Sequence, residues 1–203
     1  VGGAARVVVE SHPALVGDRT WRFRDRLASR GTALEVAMGV ETAHPDALDA
    51  INKGVSLDDC VAAAAALQGE GVTLRVFLLV HPPIVPIGER RAWLRRSVTF
   101  ARDCGAAVVS LIPTRAGEGA LEALAQAGLF TPPTLTDLEQ ASADALATSG
   151  PRLRVFADLW DLDRHARCPQ CLDARRARLA RQNVEQRVAA PVACPACAVE
   201  VPS

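Results

Sequence analysis

At 203 residues, 49% of them hydrophobic, the chain is large enough to bury a core and reads as one main domain with an appendage. Its 23 basic and 23 acidic residues cancel, which excludes a strong overall pull toward nucleic acid or a membrane surface. No apolar run approaches the roughly 20 residues of a membrane span, and the opening Val1-Gly2-Gly3-Ala4-Ala5-Arg6 has neither a signal-peptide pattern nor an initiating Met, so the protein is expected in the cytoplasm, with no membrane partner and its true N-terminus missing.

In chain order, Arg6 to Ser11 is a short β-branched run, and Trp21 to Arg30 reads as a helix closed by Gly31. Leu34 to Val40 is the next strand, followed by a short helix from Pro45 to Asn52 that stops before Gly54 and a second from Leu57 to Gln68. Val72 to Val80 is almost continuously apolar, as a parallel strand covered on both faces should be. Glu89 to Cys104 is helical and Ala106 to Ile112 is strand. Two more helices, Gly119 to Ala127 and Leu135 to Thr148, precede a last strand from Leu153 to Asp158. Repeated β/α units of this kind predict a parallel α/β sheet, open or closed into a barrel.

Ligands in such folds bind at the C-terminal edge of the strands. The residues there are polar or turn-rich: Glu10-Ser11-His12-Pro13 after the first run, Gly39-Val40-Glu41-Thr42 after the second, His81-Pro82-Pro83 after the third and Pro113-Thr114-Arg115 after the fourth. Together they outline one rim.

The string Glu10-Ser11-His12-Pro13, then Glu35 to Thr42 (EVAMGVET), then His44 to Gly54 (HPDALDAINKG), resembles radical S-adenosylmethionine (SAM) enzymes of the Elongator-catalytic-subunit, methylthiotransferase and coproporphyrinogen-dehydrogenase type. In that family E-S/T-x-P follows the third barrel strand and G-V-E/Q-S/T ends the fourth, before a helix closing in N-K/R-G. The stretch ending His81-Pro82 is similar to the family's fifth strand, from whose usual Gly-x-Pro turn His81 and the second proline depart. Residues 110 to 165, with Ser110 to Arg115 (SLIPTR) and Phe156 to Asp161 (FADLWD), resemble a subgroup that includes the radical SAM subunit of archaeosine synthase.

The resemblance implies that residues 1–160 are the second half of a (β/α) TIM-like barrel. It implies that Glu10 receives the methionyl amino group of SAM, Glu41 the ribose hydroxyls and Lys53 the methionyl carboxylate, with Pro82 shaping the backbone near the adenine. The family's [4Fe-4S] cluster sits on a C-x3-C-x2-C loop, a spacing that none of the six cysteines here has. Its ligands and the missing N-terminal half of the barrel are therefore expected upstream, and the chain alone is not expected to start radical chemistry. Each residue also has a plainer role open to it: Glu10 as a turn acceptor, Lys53 as a cation suited to a helix C-terminus, His81 bonded to loop carbonyls, Cys60 and Cys104 as small buried residues. No catalytic side chain is assigned.

The tail, residues 161–203, carries Cys168-Pro169-Gln170-Cys171 and Cys194-Pro195-Ala196-Cys197, two C-x2-C knuckles separated by 22 residues. That is close to the spacing of structural zinc sites, because two intervening residues let one tight turn offer both sulfurs to a single tetrahedral ion. An iron–sulfur cluster and disulfides are the alternatives, the latter disfavoured in a reducing cytosol. Between the knuckles Leu172 to Val188 reads as a helix rich in Arg175, Arg176, Arg178, Arg181 and Arg187, with Arg164, His165 and Arg167 just upstream. This basic stretch is either an RNA-facing surface, with tRNA as the expected substrate, or a solvated helix face in an arginine-biased proteome, where 22 of the 23 basic residues are arginine. Two functions follow: the barrel of a radical SAM enzyme that modifies RNA, or a non-catalytic binding or scaffold protein that kept the zinc module.

Overall fold

Five strands, each parallel to its neighbour, lie side by side in the order in which the chain makes them. The computed structural model describes residues 4–51, 54–115 and 119–198. The strands are β1 (Arg6–Glu10), β2 (Ala33–Glu41), β3 (Thr73–Val80), β4 (Val108–Pro113) and β5 (Arg154–Ala157). Between them run α1 (Asp18–Ala28), α2 (Pro45–Ala50), α3 (Leu57–Gly69), α4 (Arg90–Asp103), α5 (Ala120–Gln126) and α6 (Leu135–Ser149). The tail adds α7 (Leu172–Glu185) and the short α8 (Pro195–Ala198). A doubly wound sheet reverses its strand order at a switch point. Here the order never reverses, which is the winding of a barrel.

One face of the sheet is sealed. Val36 and Met38 of β2, Leu74, Val76 and Leu78 of β3, and Val109 and Leu111 of β4 form one buried cluster with Leu67 of α3, Val98 of α4, Leu138 of α6 and Leu179 of α7. Polar N-caps start the helices that supply this layer: Ser56 and Asp59 form a capping box on α3, and Thr134 and Asp137 another on α6.

The other face is not covered as the sequence suggested. Burial alternates along β3, with Leu74, Val76, Leu78 and Val80 buried while Arg75, Phe77 and Leu79 are only half-buried. An unbroken apolar run reports that both faces tolerate burial, not that a second layer is present to provide it. Among the described residues that layer is replaced by a charged ladder. Glu35, 1% exposed, holds Arg6 at 2.7 Å and Arg75 at 2.6 Å; Arg75 also donates to Ser110 Oγ at 2.9 Å and lies over the Phe156 ring. A carboxylate so far out of water is tolerable only because two guanidinium groups satisfy it.

The two edges of the sheet differ. Beyond β5 the side-chain amides of α7 and its C-cap act as a substitute strand. Asn183 accepts from Ala157 N at 2.8 Å and donates to Ala157 O at 2.9 Å, and Gln186 accepts from Val155 N at 2.7 Å and donates to Val155 O at 2.9 Å. Four backbone groups that an exposed edge would leave for another chain are thereby matched. Nothing among the described residues pairs with the outer edge of β1, whose residues are exposed or half-buried.

Candidate cofactor rim and metal centre

Each residue of the sequence-derived rim falls at a strand end. Glu10 is the last residue of β1 and is exposed; Glu41 is the last residue of β2 and is 7% exposed. Glu10 stands opposite Ala37, whose β3 partner is Arg75, and Glu41 pairs with Leu78, so Glu41 reaches three rungs further toward the C-terminal edge, about 10 Å along the sheet. A register shift between Gly39 and Glu41 and a left-handed Glu41 backbone (φ 66°) break the ladder at this point. Lys53 lies outside the described residues. Pro82 is buried and lines a cavity of about 420 Å³ between the end of β3, α4 and α6; Glu10 and Glu41 do not line it.

Non-glycine residues with positive φ gather at this edge: Glu41, then His81 (φ 58°) after β3 and Asp161 (φ 59°) beyond β5. Such conformations cost energy and persist where surrounding contacts impose them. For His81 those contacts are a buried Arg90, whose Nη1 donates to His81 Nδ1 at 3.0 Å, and Asp137, whose carboxylate lies 3.6 Å from His81 Nε2. Burial, then the Arg90 charge, push the His81 imidazole below its ordinary value of 6.5. Sequence reading singled out His81 but not Arg90 or Asp137; the Thr134-x-x-Asp137 cap was the one signal that marked the latter. On the far side of the rim Arg115 donates to Asp158 at 2.7 Å and to Trp160 O, and its guanidinium lies 4.5 Å from the centre of the exposed Trp160 ring.

The knuckle cysteines converge. All four Sγ atoms lie within 4.8 Å of one another, with Cys168 to Cys194 at 3.9 Å and Cys171 to Cys197 at 3.7 Å. The thiols are free, far beyond the roughly 2.05 Å of a disulfide. The Cys194 thiol is drawn down to about 7, chiefly by the backbone N–H of Cys197, while burial raises Cys171 and the Cys194 sulfur pushes Cys197 up to about 12, so Cys194 is the readiest of the three to give the thiolate a metal requires. The group can hold a metal ion. α7 joins the knuckles and is itself fastened to β5, so the centre is fixed to the sheet.

The basic stretch is less available than its composition implied. Arg178 is 7% exposed, donating to the carbonyls of Ala189 and Ala190 and paired with Glu139 at 3.1 Å. Arg175 is committed to Glu139 at 2.7 Å and to Thr136 Oγ1. Both are structural arginines that bind the tail to α6. Arg181 and Arg167 are exposed and, among the described residues, have no hydrogen-bond or ion-pair partner.

No family model matches the chain. It is 30% identical over 157 residues to archaeosine synthase subunit beta of Methanosarcina acetivorans, across 75% of this chain and 44% of that protein. Its fold superposes on Elp3 of the archaeon Methanocaldococcus infernus with a TM-score of 0.67 at 15% identity, covering 88% of this chain and 42% of that one. TsrM of Kitasatospora setae, a radical S-adenosylmethionine methyltransferase, overlaps 52% of this chain and 19% of its own at 21% identity, with a TM-score of 0.39 that bears no argument. The chain thus spans less than half the length of the curated relative it matches. The resemblance to the radical SAM superfamily, and within it to the archaeosine-synthase subgroup, is borne out. No helix among the described residues is long and apolar enough to cross a membrane.

The depressed His81 sets a sign for pH dependence. The unfolded chain takes up a proton near pH 6.5 while the folded chain resists it, so this contribution to stability is complete above about 6.5 and is lost as pH falls through that value toward the folded one. Between pH 8 and pH 5.5 the melting temperature of wild type should fall more than that of His81→Asn, a residue that tolerates the left-handed backbone. Equal falls would contradict the burial and Arg90 contact described here.

Proposed function

We propose, for a chain that resembles the C-terminal part of the radical SAM superfamily, that it is part of a longer cytoplasmic enzyme that binds SAM and a [4Fe-4S] cluster and modifies a base in RNA, with tRNA as the favoured substrate. The observation that carries this is the 157-residue likeness to a protein named for making archaeosine. The strand order, open at β1, supports a barrel that continues N-terminally.

The residues present suit the cofactor. Glu10 and Glu41 offer acceptor-only carboxylates at the edge where such folds take ligands, Glu10 for the methionyl ammonium and Glu41 for two ribose hydroxyls. Lys53 pairs with the methionyl carboxylate, and Pro82 sets the backbone of the turn near the adenine. A bound [4Fe-4S] cluster supplies the electron that cleaves SAM. Its ligands belong to the upstream half of the barrel, since the cysteines here lack C-x3-C-x2-C spacing. That same lack is what favours the second reading, a non-catalytic zinc-containing scaffold.

At the knuckles the ion is zinc. Four ligands about 2.3 Å from one tetrahedral ion stand about 3.8 Å apart; here Cys168–Cys194 and Cys171–Cys197 are 3.9 and 3.7 Å apart and all four sulfurs lie within 4.8 Å of one another. Thiolates of a [4Fe-4S] cluster each bind a separate iron and are held further apart. The exposed Arg167 and Arg181, unpaired among the described residues, with the exposed Arg164 and Arg187 beside their acidic partners Asp161 and Glu185, remain to meet the phosphates of RNA.

Two measurements test the proposal. The longer protein, extended through its upstream half and reconstituted with iron and sulfide, should yield 5′-deoxyadenosine from SAM under reductant, and Glu10→Ala should lower that yield at least about tenfold, as loss of a charge-assisted bond implies. Absence of any 5′-deoxyadenosine from the reconstituted wild type would leave the scaffold reading standing. Separately, purified chain should carry one zinc, and Cys171→Ser should lose most of it and melt at lower temperature. Unchanged metal content in that variant would rule out the four-cysteine site.

A further inference from the structure

Two cavities meet at Arg167. One is the 420 Å³ pocket beside His81; the other, of about 370 Å³, lies where the start of α6 faces the cysteine knuckles, and Thr134, Asp137 and Arg167 line both. His165 lines the second cavity and is 6% exposed. Its Nδ1 is 2.7 Å from the Pro133 carbonyl oxygen. A carbonyl only accepts, so Nδ1 carries the hydrogen, and in the neutral ring Nε2 is left as a lone-pair acceptor. That Nε2 is buried and has no hydrogen-bond partner. Buried polar atoms are almost always matched, so an orphan of this kind marks a place where a partner is meant to sit.

The other polar groups of the cavity narrow the partner's chemistry. Thr134 and Asp137 cap α6 and bond to each other, and Arg175 is occupied by Glu139 and Thr136. Arg167 alone brings a full set of unused donors. The site therefore offers one buried acceptor and one cationic donor in the lining of a single cavity. Its ligand must present a hydrogen-bond donor next to an anionic oxygen.

We propose that this cavity binds one ribose–phosphate unit of an RNA strand, its 2′-hydroxyl donating to His165 Nε2 and a phosphate oxygen accepting from Arg167. A neutral hydroxyl beside a phosphate is what distinguishes RNA from DNA, and a single acceptor placed for it reads that difference. The adjoining pocket beyond Arg167 gives the strand room to continue toward the rim. The assignment rests on the RNA reading of the preceding section and names the contact that selects RNA.

The test uses the zinc-loaded chain and a fluorescein-labelled single-stranded RNA of mixed sequence, compared by anisotropy with its 2′-deoxy counterpart. Wild type should prefer the RNA by several-fold, up to about tenfold, as one matched hydrogen bond implies. His165→Ala should abolish the preference while leaving DNA affinity unchanged. Arg167→Gln, at an exposed position that should fold normally, should weaken both probes and lower the salt slope by about one. RNA bound without preference over DNA by wild type, or variants that bind both probes as wild type does, would overturn this site while the RNA reading stands. Absence of RNA binding would overturn both. If His165→Ala does not fold, the 2′-deoxy comparison on wild type and Arg167→Gln still decide.

Discussion

Asn183 and Gln186 close the sheet by matching, with two side-chain amides, both the donor and the acceptor of Val155 and of Ala157. Each amide contributes only on the order of 1 kcal/mol per bond, but an unmatched edge is also an invitation to aggregate. The clamp does two things at once. It ends the sheet at β5, and it fixes α7 against the sheet. Because α7 connects Cys171 to the second knuckle, its position fixes that of the metal group, and Arg175 and Arg178 complete the attachment through Glu139 on α6. The metal module is thus a strap over the last strand rather than a separate bead on a linker.

With β5 sealed, the sheet can grow only at β1. The same asymmetry appears across its thickness: one face is covered by helices, and the other carries Glu35 between Arg6 and Arg75, with the Arg75 guanidinium over the half-buried Phe156 ring. In a closed barrel this second face is the interior. In the barrel proposed above, a charged ladder there, rather than layers of aliphatic side chains, would suit an enclosed polar ligand, and Glu10 and Glu41 stand at the strand ends of that sheet.

Much of this order was legible in the sequence, and the reasons are local. Apolar β-branched runs, helical periodicity and glycines closing helices placed all five strands and the helices between them within a few residues. The cysteine spacing located the metal group because two-residue knuckles are short-range objects. What stayed hidden depends on partners far along the chain. Asn183 and Gln186 look like ordinary polar helix residues until β5 lies beside them. Arg178 looks like part of a basic surface until Ala189, Ala190 and Glu139 enclose it, and Arg90 gives no sign of its contact with His81. The one-sided burial of β3 was equally invisible, because hydrophobicity cannot report which neighbour is present.

The central proposal is that a sheet closed at β5 is extended past β1 by upstream chain, and amide hydrogen exchange tests it most directly. The bonds from Ser11 to Ala37 and from Ala33 to Ala5 show that odd-numbered residues of β1 pair with β2, so the N–H groups of Val8 and Glu10 point to the open edge. In this chain those amides should exchange rapidly, while Val155 and Ala157 are protected by the clamp. In the protein extended through its upstream half, Val8 and Glu10 should become protected at least about a hundredfold, the change a new strand would bring. Exchange at Val8 and Glu10 that is equally fast in both proteins would contradict the account.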